Sequence, residues 1–259
     1  MNVAPAAADT TNPNIPQSAV RIGLLGASGR MGQWVRKVVA REFQGRAAIT
    51  VEASAGDPLE LLLSSDVIID FSSPEAMSVL ARGALRLSGG RLPAFVVGST
   101  GWTPEQMVHL EALARKARVL MASNFSTGIG LLNEILRQFA PALLRIGYQP
   151  AIVETHHKHK KDAPSGTAIT LARSVNPTDP SLVQTLSLRA GEVIGDHDVS
   201  FFGPGDTITL RHHARDRSVF ARGAVDAAIW LVDKPATFTG GAIIGLDAYL
   251  KEIQETPQS

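Results

Sequence analysis

The chain has 259 residues, 44% of them hydrophobic, with 25 Lys and Arg against 24 Asp and Glu and no cysteine. Such a chain is expected to be soluble and globular, with a core large enough for one large domain or two smaller ones. Its net charge of +1 gives no reason to expect nucleic acid or an anionic membrane as the main partner. The absence of cysteine removes disulfides, thiolate nucleophiles and Cys-ligated metal centres, and a reducing, cytoplasmic setting fits.

Residues 1–18 are rich in Ala, Pro, Thr and Asn and lack the basic start and apolar run of a signal peptide, so they read as a disordered leader. No later run approaches the ~20 apolar residues of a membrane span. From Val20 the pattern becomes regular. "VRIGLLG" is a short apolar strand ending in glycine, and "QWVRKVVAREF" places Trp34, Val35, Val38 and Val39 on one helical face. "AITVEA" alternates as a strand, "DVIIDF" reads as a buried strand, "PEAMSVLARGAL" as a helix and "AFVVG" as the next strand. Thr103-Pro104-Glu105-Gln106 carries a helix start, a threonine cap with proline first and glutamine three positions on, and the helix is predicted to run to about Ala117. "VLMAS" follows as a strand.

This alternation predicts a Rossmann-like, doubly wound parallel sheet over 19–124, whose ligands bind at the carboxyl ends of the strands. Beyond Asn124 the rhythm changes. "IGLLNEILRQFAPALL" is a helix, "AIVET" a strand and "GTAITLARSV" a helix, and then "TLSLRA", "DHDVSFFG" and "DTITLRHHA" read as successive strands. A second α+β domain with an open mixed sheet is expected over 125–234, closed by the helix "FARGAVDAAIWLV". The final helix, "GLDAYLKEI", lies in the segment 235–259.

Gly26-Ala27-Ser28-Gly29-Arg30-Met31-Gly32 falls between the first strand and the first helix, where a dinucleotide's pyrophosphate would meet free helix-start amides. The spacing is Gly-x-x-Gly-x-x-Gly, and a simple tight turn is the competing reading. Glu52 lies about 20 residues further on, where an acidic residue would hold the adenosine ribose. A solvent-facing position on an alternating strand would also explain it.

The stretch "ETHHKHKKDAPSGTA", Glu154 to Ala168, concentrates titratable groups beside a turn. A metal reading would use His156, His157, His159 and Asp162, but Lys158, Lys160 and Lys161 would repel a divalent cation, and no ligand spacing is present. No metal is therefore expected. A solvated charged loop does not account for the passage into Pro164-Ser165-Gly166-Thr167. That run makes a helix start able to hold a carboxylate, with cations beside it and a histidine able to deliver a proton near neutral pH. The chemistry suits reduction of a small polyanion by hydride from a dinucleotide.

These residues resemble the signature Glu-x-His-His-x-x-Lys-x-Asp-Ala-Pro-Ser-Gly-Thr-Ala of the 4-hydroxy-tetrahydrodipicolinate reductases, the dihydrodipicolinate reductase family of lysine biosynthesis. The resemblance extends over nearly the whole chain after the leader: Gly26 to Gly32 fits the family's Gly-Arg-Met-Gly turn, Asp70-Phe71-Ser72 its third-strand end, and Gly98-Ser99-Thr100-Gly101 and Asn124-Phe125-Ser126 its loops near the nicotinamide. It implies His156 as proton donor with Lys160 as partner, and His157, Lys160, Ser165, Gly166 and Thr167 around the carboxylates of a small dicarboxylate substrate. It implies a cofactor site of Gly26, Ser28, Gly29, Arg30, Met31, Gly32, Phe71, Gly98, Ser99, Thr100, Asn124, Phe125 and Arg217, to which spacing alone adds Glu52. It also implies a homotetramer built through the second domain's sheet, and a final helix that rejoins the first domain.

The implied reaction reduces 4-hydroxy-tetrahydrodipicolinate to tetrahydrodipicolinate with NADH or NADPH. Alternatives are a dinucleotide-binding regulatory protein without catalysis, or a dehydrogenase of aspartate or homoserine. From Ala47 to Ser65 the charged groups are only Glu52, Asp57 and Glu60, where family members often carry a longer excursion with an acidic-basic pair. NADH is therefore expected to serve at least as well as NADPH, with Arg30 able to reach a phosphate from the other side.

Overall fold

A computed structural model describes residues 16, 18–54, 56–86 and 91–255. The expected leader therefore lies outside the described residues except at positions 16 and 18. In the first half, strands and helices alternate: β1 (Val20–Leu25), α1 (Arg30–Glu42), β2 (Ala47–Ala53), β3 (Val67–Asp70), α2 (Pro74–Arg86), β4 (Ala94–Val97), α3 (Pro104–Ala114) and β5 (Val119–Met121). The second half runs α4 (Thr127–Arg145), β6 (Gln149–His156), α5 (Gly166–Val175), β7 (Gln184–Arg189), β8 (Asp196–Phe202), β9 (Thr207–His213), α6 (Ser218–Val232), β10 (Ile243–Ile244) and α7 (Leu246–Glu255).

Two sheets result, ordered β10-β5-β4-β3-β1-β2 and β7-β6-β8-β9. All pairs of the first are parallel. Its inner strands β3 and β4 are buried at every position, which is why they read as unbroken apolar runs rather than alternating ones. The strand order reverses at β1, and the cleft of such a sheet opens there. The second sheet is mixed, with β6 parallel to β7 and antiparallel to β8. Both sheets agree with the predicted fold class.

Contacts divide the described residues into two compact units, one within Met1–Ala122 and Ala221–Ser259, the other Ser123–Phe220. The expected boundaries lie at 124/125 and 234/235, whereas α6 from Ala221 onward groups with the first unit. Periodicity shows that α6 has a face to bury but not which sheet receives it. In the first unit Arg118, itself buried, sends one guanidinium nitrogen to the carbonyls of Leu231 (2.7 Å), Val232 (2.8 Å) and Lys234 (2.5 Å) at the end of α6. The Leu231 and Val232 carbonyls are among the last-turn acceptors that a helix leaves without an intrahelical partner, and the Leu231 carbonyl also accepts from the Lys234 amide at 3.3 Å.

Local signals explain several boundaries. Thr103 and Gln106 form the reciprocal capping box that the sequence announced, but α3 ends at Ala114 because the amides of Lys116 and Ala117 both turn back to the Leu113 carbonyl. The segment after β2 folds as a short 3-10 turn, Leu59–Ser64, with Leu62 fully buried. Strand β10 is two residues long, too short for a periodic signal.

In the second unit, α4 and α5 pack Ile129, Leu132, Leu136 and Leu171 against Ile152, Val199 and Phe201 of the sheet. Alternation then points Ile152, Glu154 and His156 of β6 inward and leaves Val153 facing outward with Leu186 and Leu188 of β7. Among the described residues no helix is long and apolar enough to cross a membrane.

Candidate active site

In the first unit, the glycine turn leads directly into α1. Gly26 has a φ of +84°, and the Gly29 amide donates to the Gly26 carbonyl at 3.0 Å. Gly29 occupies the cap of α1 without a side-chain capping bond, and the first turn holds no acidic residue. A Cβ on Gly32 would lie 2.4 Å from the Gly26 carbonyl oxygen, so only glycine lets the helix start seat on the turn. The uncapped start with its positive end suits an anionic group, and a dinucleotide pyrophosphate fits it. Ser28 donates its amide to the Ser54 hydroxyl at 3.1 Å, tying the turn to the end of β2, while Arg30 is exposed and Met31 half-buried.

Glu52 is exposed near the end of β2, but its carboxylate is gripped in two parallel bonds of 2.6 Å by Arg36 of α1. The expectation that no basic group stands near Glu52 is corrected: the base comes from the facing helix, outside the segment 47–65. At the end of β3, Asp70 is buried and accepts from the Ser72 amide (2.8 Å) and the hydroxyls of Ser72 and Ser99 (both 2.5 Å). Burial pushes its carboxyl up from the ordinary range. This network fixes Ser99 at the end of β4, with the Gly98 amide on the Asp70 carbonyl at 2.8 Å and Thr100 exposed beside it. The Phe71 ring lies over Gly98, where a Cβ would come within 2.3 Å of it.

In the second unit the histidine-lysine stretch begins on β6 and ends at α5. Glu154 and His156 share the inward face, and Glu154 is fully buried. Its carboxylate accepts from His156 Nδ1, from the Ser165 amide (3.2 Å) and from both terminal nitrogens of Arg189 (2.7 and 3.0 Å). Burial opposes the charge on Glu154, but bonds from Arg189, Ser187 and His156 outweigh it and hold the carboxyl at about 2. Burial lowers the pKa of His156, partly offset by Glu154. Lys160 pairs with Asp162 at 2.9 Å and raises the positive potential at His156. Burial works against ionisation of Asp162 too, but Lys160 keeps its carboxyl below the ordinary range.

Ser165 caps α5, accepting from the Ala168 amide at 3.1 Å, and its hydroxyl lies 3.3 Å from His197 Nε2. Gly166 is exposed at the helix start, and buried Thr167 accepts from Asn124 Nδ2 at 2.9 Å. His157 is half-buried, with its ring centroid 6.2 Å from that of His159. His197, on β8, meets the His156 ring edge-on at 5.2 Å, and burial with neighbouring histidines drives its pKa to about 3. Ser126 joins His212 at 3.0 Å.

The structure thus gathers His156, Lys160, Ser165, Gly166 and Thr167 around one strand end and one helix start. Asn124, buried Phe125 and Arg217, whose carbonyl accepts from the Phe220 amide, belong to this second unit rather than to the glycine-turn unit. Sequence reasoning gave no role to Glu154, Arg189, His197 or Arg36. The i, i+2 spacing of Glu154 and His156 on a predicted strand was a usable signal. Arg189 and Arg36 arrive through sheet register and helix packing, which leave no local mark.

A parallel sheet with an uncapped glycine turn and a unit carrying a carboxylate-held histidine fit an oxidoreductase of the nicotinamide-dinucleotide class. Residues 20–125 match the N-terminal domain of dihydrodipicolinate reductase and residues 128–243 its C-terminal domain, and the chain belongs to that family. It is 36% identical to the 4-hydroxy-tetrahydrodipicolinate reductase of Caulobacter vibrioides over 246 residues, covering 83% of this chain and 93% of the relative. It is 38% identical to the enzyme of the same name from Dinoroseobacter shibae over 245 residues, covering 86% and 88%. Among solved structures, the dipicolinate-bound dihydrodipicolinate reductase from Paenisporosarcina sp. TG-14 shares the fold with a TM-score of 0.66 at 23% identity, over 88% of this chain and 97% of that one.

Proposed function

We propose that this chain reduces 4-hydroxy-tetrahydrodipicolinate to tetrahydrodipicolinate in the diaminopimelate route of lysine biosynthesis, with NADH or NADPH as hydride donor. The observation that carries this reading is the buried Glu154–His156 pair beside Lys160 and the start of α5, in a chain of this reductase family. A bound nicotinamide supplies the hydride, and the chain's own residues do the rest. One hydride and one proton are added and the 4-hydroxyl leaves as water: His156 gives the proton, and the Lys160 ammonium stabilises anionic charge next to it. His157, Lys160, Ser165, Gly166 and Thr167 hold the two carboxylates of the substrate, using cations, hydroxyls and the amides of the α5 start. Gly26, Ser28, Gly29, Arg30, Met31 and Gly32 receive the pyrophosphate.

Exposed apolar side chains on the second sheet accord with association through that sheet, as a homotetramer would use. Leu186 and Leu188 are about half exposed there beside Val153, and such a patch marks an association surface. Light scattering that returned a monomer mass would remove that part. A cytoplasmic setting accords with a chain that has no cysteine. The reaction is tested by mixing aspartate semialdehyde, pyruvate and the preceding synthase with this protein and following nicotinamide absorbance. Loss of absorbance that depends on all components is expected, and no loss above the synthase-only rate would overturn the reading.

A further inference from the structure

Proton transfer by histidine needs one ring nitrogen fixed and the other free to act, and three residues outside the expected site bear on this. Strand alternation places Glu154 on the same face as His156, two positions back. Strand β7 runs parallel to β6 with Arg189 directly opposite His156 and Ser187 opposite Glu154. From there Arg189 spans both oxygens of Glu154, and it also donates to the Asp162 carbonyl at 2.6 Å. One side chain therefore fastens the carboxylate and the loop that carries Lys160. The third residue is Gly195, where a Cβ would stand 3.1 Å from His156 Nε2.

We propose that Glu154 and Arg189 are positioning residues for the proton transfer: Glu154 captures Nδ1–H and so assigns the donated proton to Nε2, Arg189 locks that carboxylate in place, and Gly195 keeps the approach to Nε2 clear. The proposal rests on the functional reading above. The charged and titratable groups facing His156 are Glu154 on its own strand, Arg189 on β7, His197 on β8 and Lys160 on the following loop. Of these four only Glu154 is an anion. A carboxylate in this position holds the ring in one tautomer and stabilises the imidazolium once it forms. A buried Glu–Arg pair serving architecture alone would affect stability while leaving kcat of the folded variant unchanged.

The test is the imidazole pKa of His156, read by carbon-13 NMR of histidine-labelled protein without substrate or cofactor, beside the pH profile of kcat/KM. Glu154→Gln keeps the shape and removes the charge. It is expected to lower the His156 pKa, to move the alkaline limb of the profile to lower pH, and to reduce kcat by about 10²-fold while cofactor affinity is retained. Gly195→Ala is expected to reduce kcat with the His156 pKa unchanged, since the added methyl meets Nε2 and leaves Glu154 in place. An unchanged His156 pKa and pH profile in folded Glu154→Gln would overturn the proposal. If that variant does not fold, Arg189→Lys decides: loss of the two-point grip should lower kcat with KM little changed, and wild-type kcat would overturn it. The NMR comparison needs no turnover, so it stands apart from the coupled assay, whose failure would remove the functional reading instead.

Discussion

A glutamine at position 156 keeps a polar side chain but has no proton to give. His156→Gln is expected to lower turnover by ~10²–10⁴-fold, the usual contribution of a general acid, with the dissociation constant of the dinucleotide nearly unchanged. Wild-type turnover in that variant would assign the proton to another group. Lys160→Ala should weaken both the substrate and pyridine-2,6-dicarboxylate as a competitive inhibitor, because a planar dianion meets the same cation; unaltered inhibition would move the carboxylate site elsewhere. Much at this scale was legible in the sequence, since His156 through Thr167 are consecutive and their chemistry shows without a fold. Arg189 was not, because its place beside Glu154 follows from pairing β7 with β6, 35 residues apart. Glu52 was half legible: its position near the end of β2 could be read, but its partner Arg36 belongs to α1.

That pairing of α1 with β2 sets a carboxylate and a guanidinium side by side where the proposed cofactor site would meet the ribose. Each charge satisfies the other in a half-exposed pair worth ~1 kcal/mol or less, so either is released at little cost. Glu52→Ala should free Arg36 for a 2′-phosphate and tighten NADPH relative to NADH, and Arg36→Ala should do the reverse. Fluorescence titration of both cofactors measures this without turnover; a ratio unmoved by either change would place the discriminating group elsewhere, with Arg30 next in line. Elements announced by chemistry, such as the Thr103 capping box, were found where expected, whereas β10 and the 3-10 turn at Leu59–Ser64 are shorter than any period that could reveal them.

At the scale of the whole molecule, burial in the second unit disfavours the charged forms of His156, His197 and His212. His197 titrates near 6.5 when unfolded and at about 3 when folded, so between those values the unfolded chain binds the extra proton and stability falls as pH drops. The full slope for one such group is ~1.4 kcal/mol per pH unit. Burial lowers His156 and His212 as well, in the same direction. Glu154 adds a second window: its contribution is complete above 4.5 and is lost as pH falls from there to about 2. Tm should therefore decline on acidification below neutrality, and His197→Gln should flatten the decline between about pH 6 and pH 4. An unchanged slope in that variant would mean that His197 is not its source.

The bonds from Arg118 to the end of α6 bear on the order in which the chain is made. The Leu231 carbonyl that receives this guanidinium is 113 residues further along, and β5 waits for a neighbour, β10, that comes later still. A ribosome must therefore deliver the entire second unit before the first can close its sheet edge and satisfy its buried cation. Completion of the first unit thus waits on synthesis of the second, against the usual amino-terminal-first order. Chains released after Phe220 should show residues 123–220 resisting protease while residues 18–122 are digested, and protection of the earlier segment in such chains would show that it closes without its missing piece.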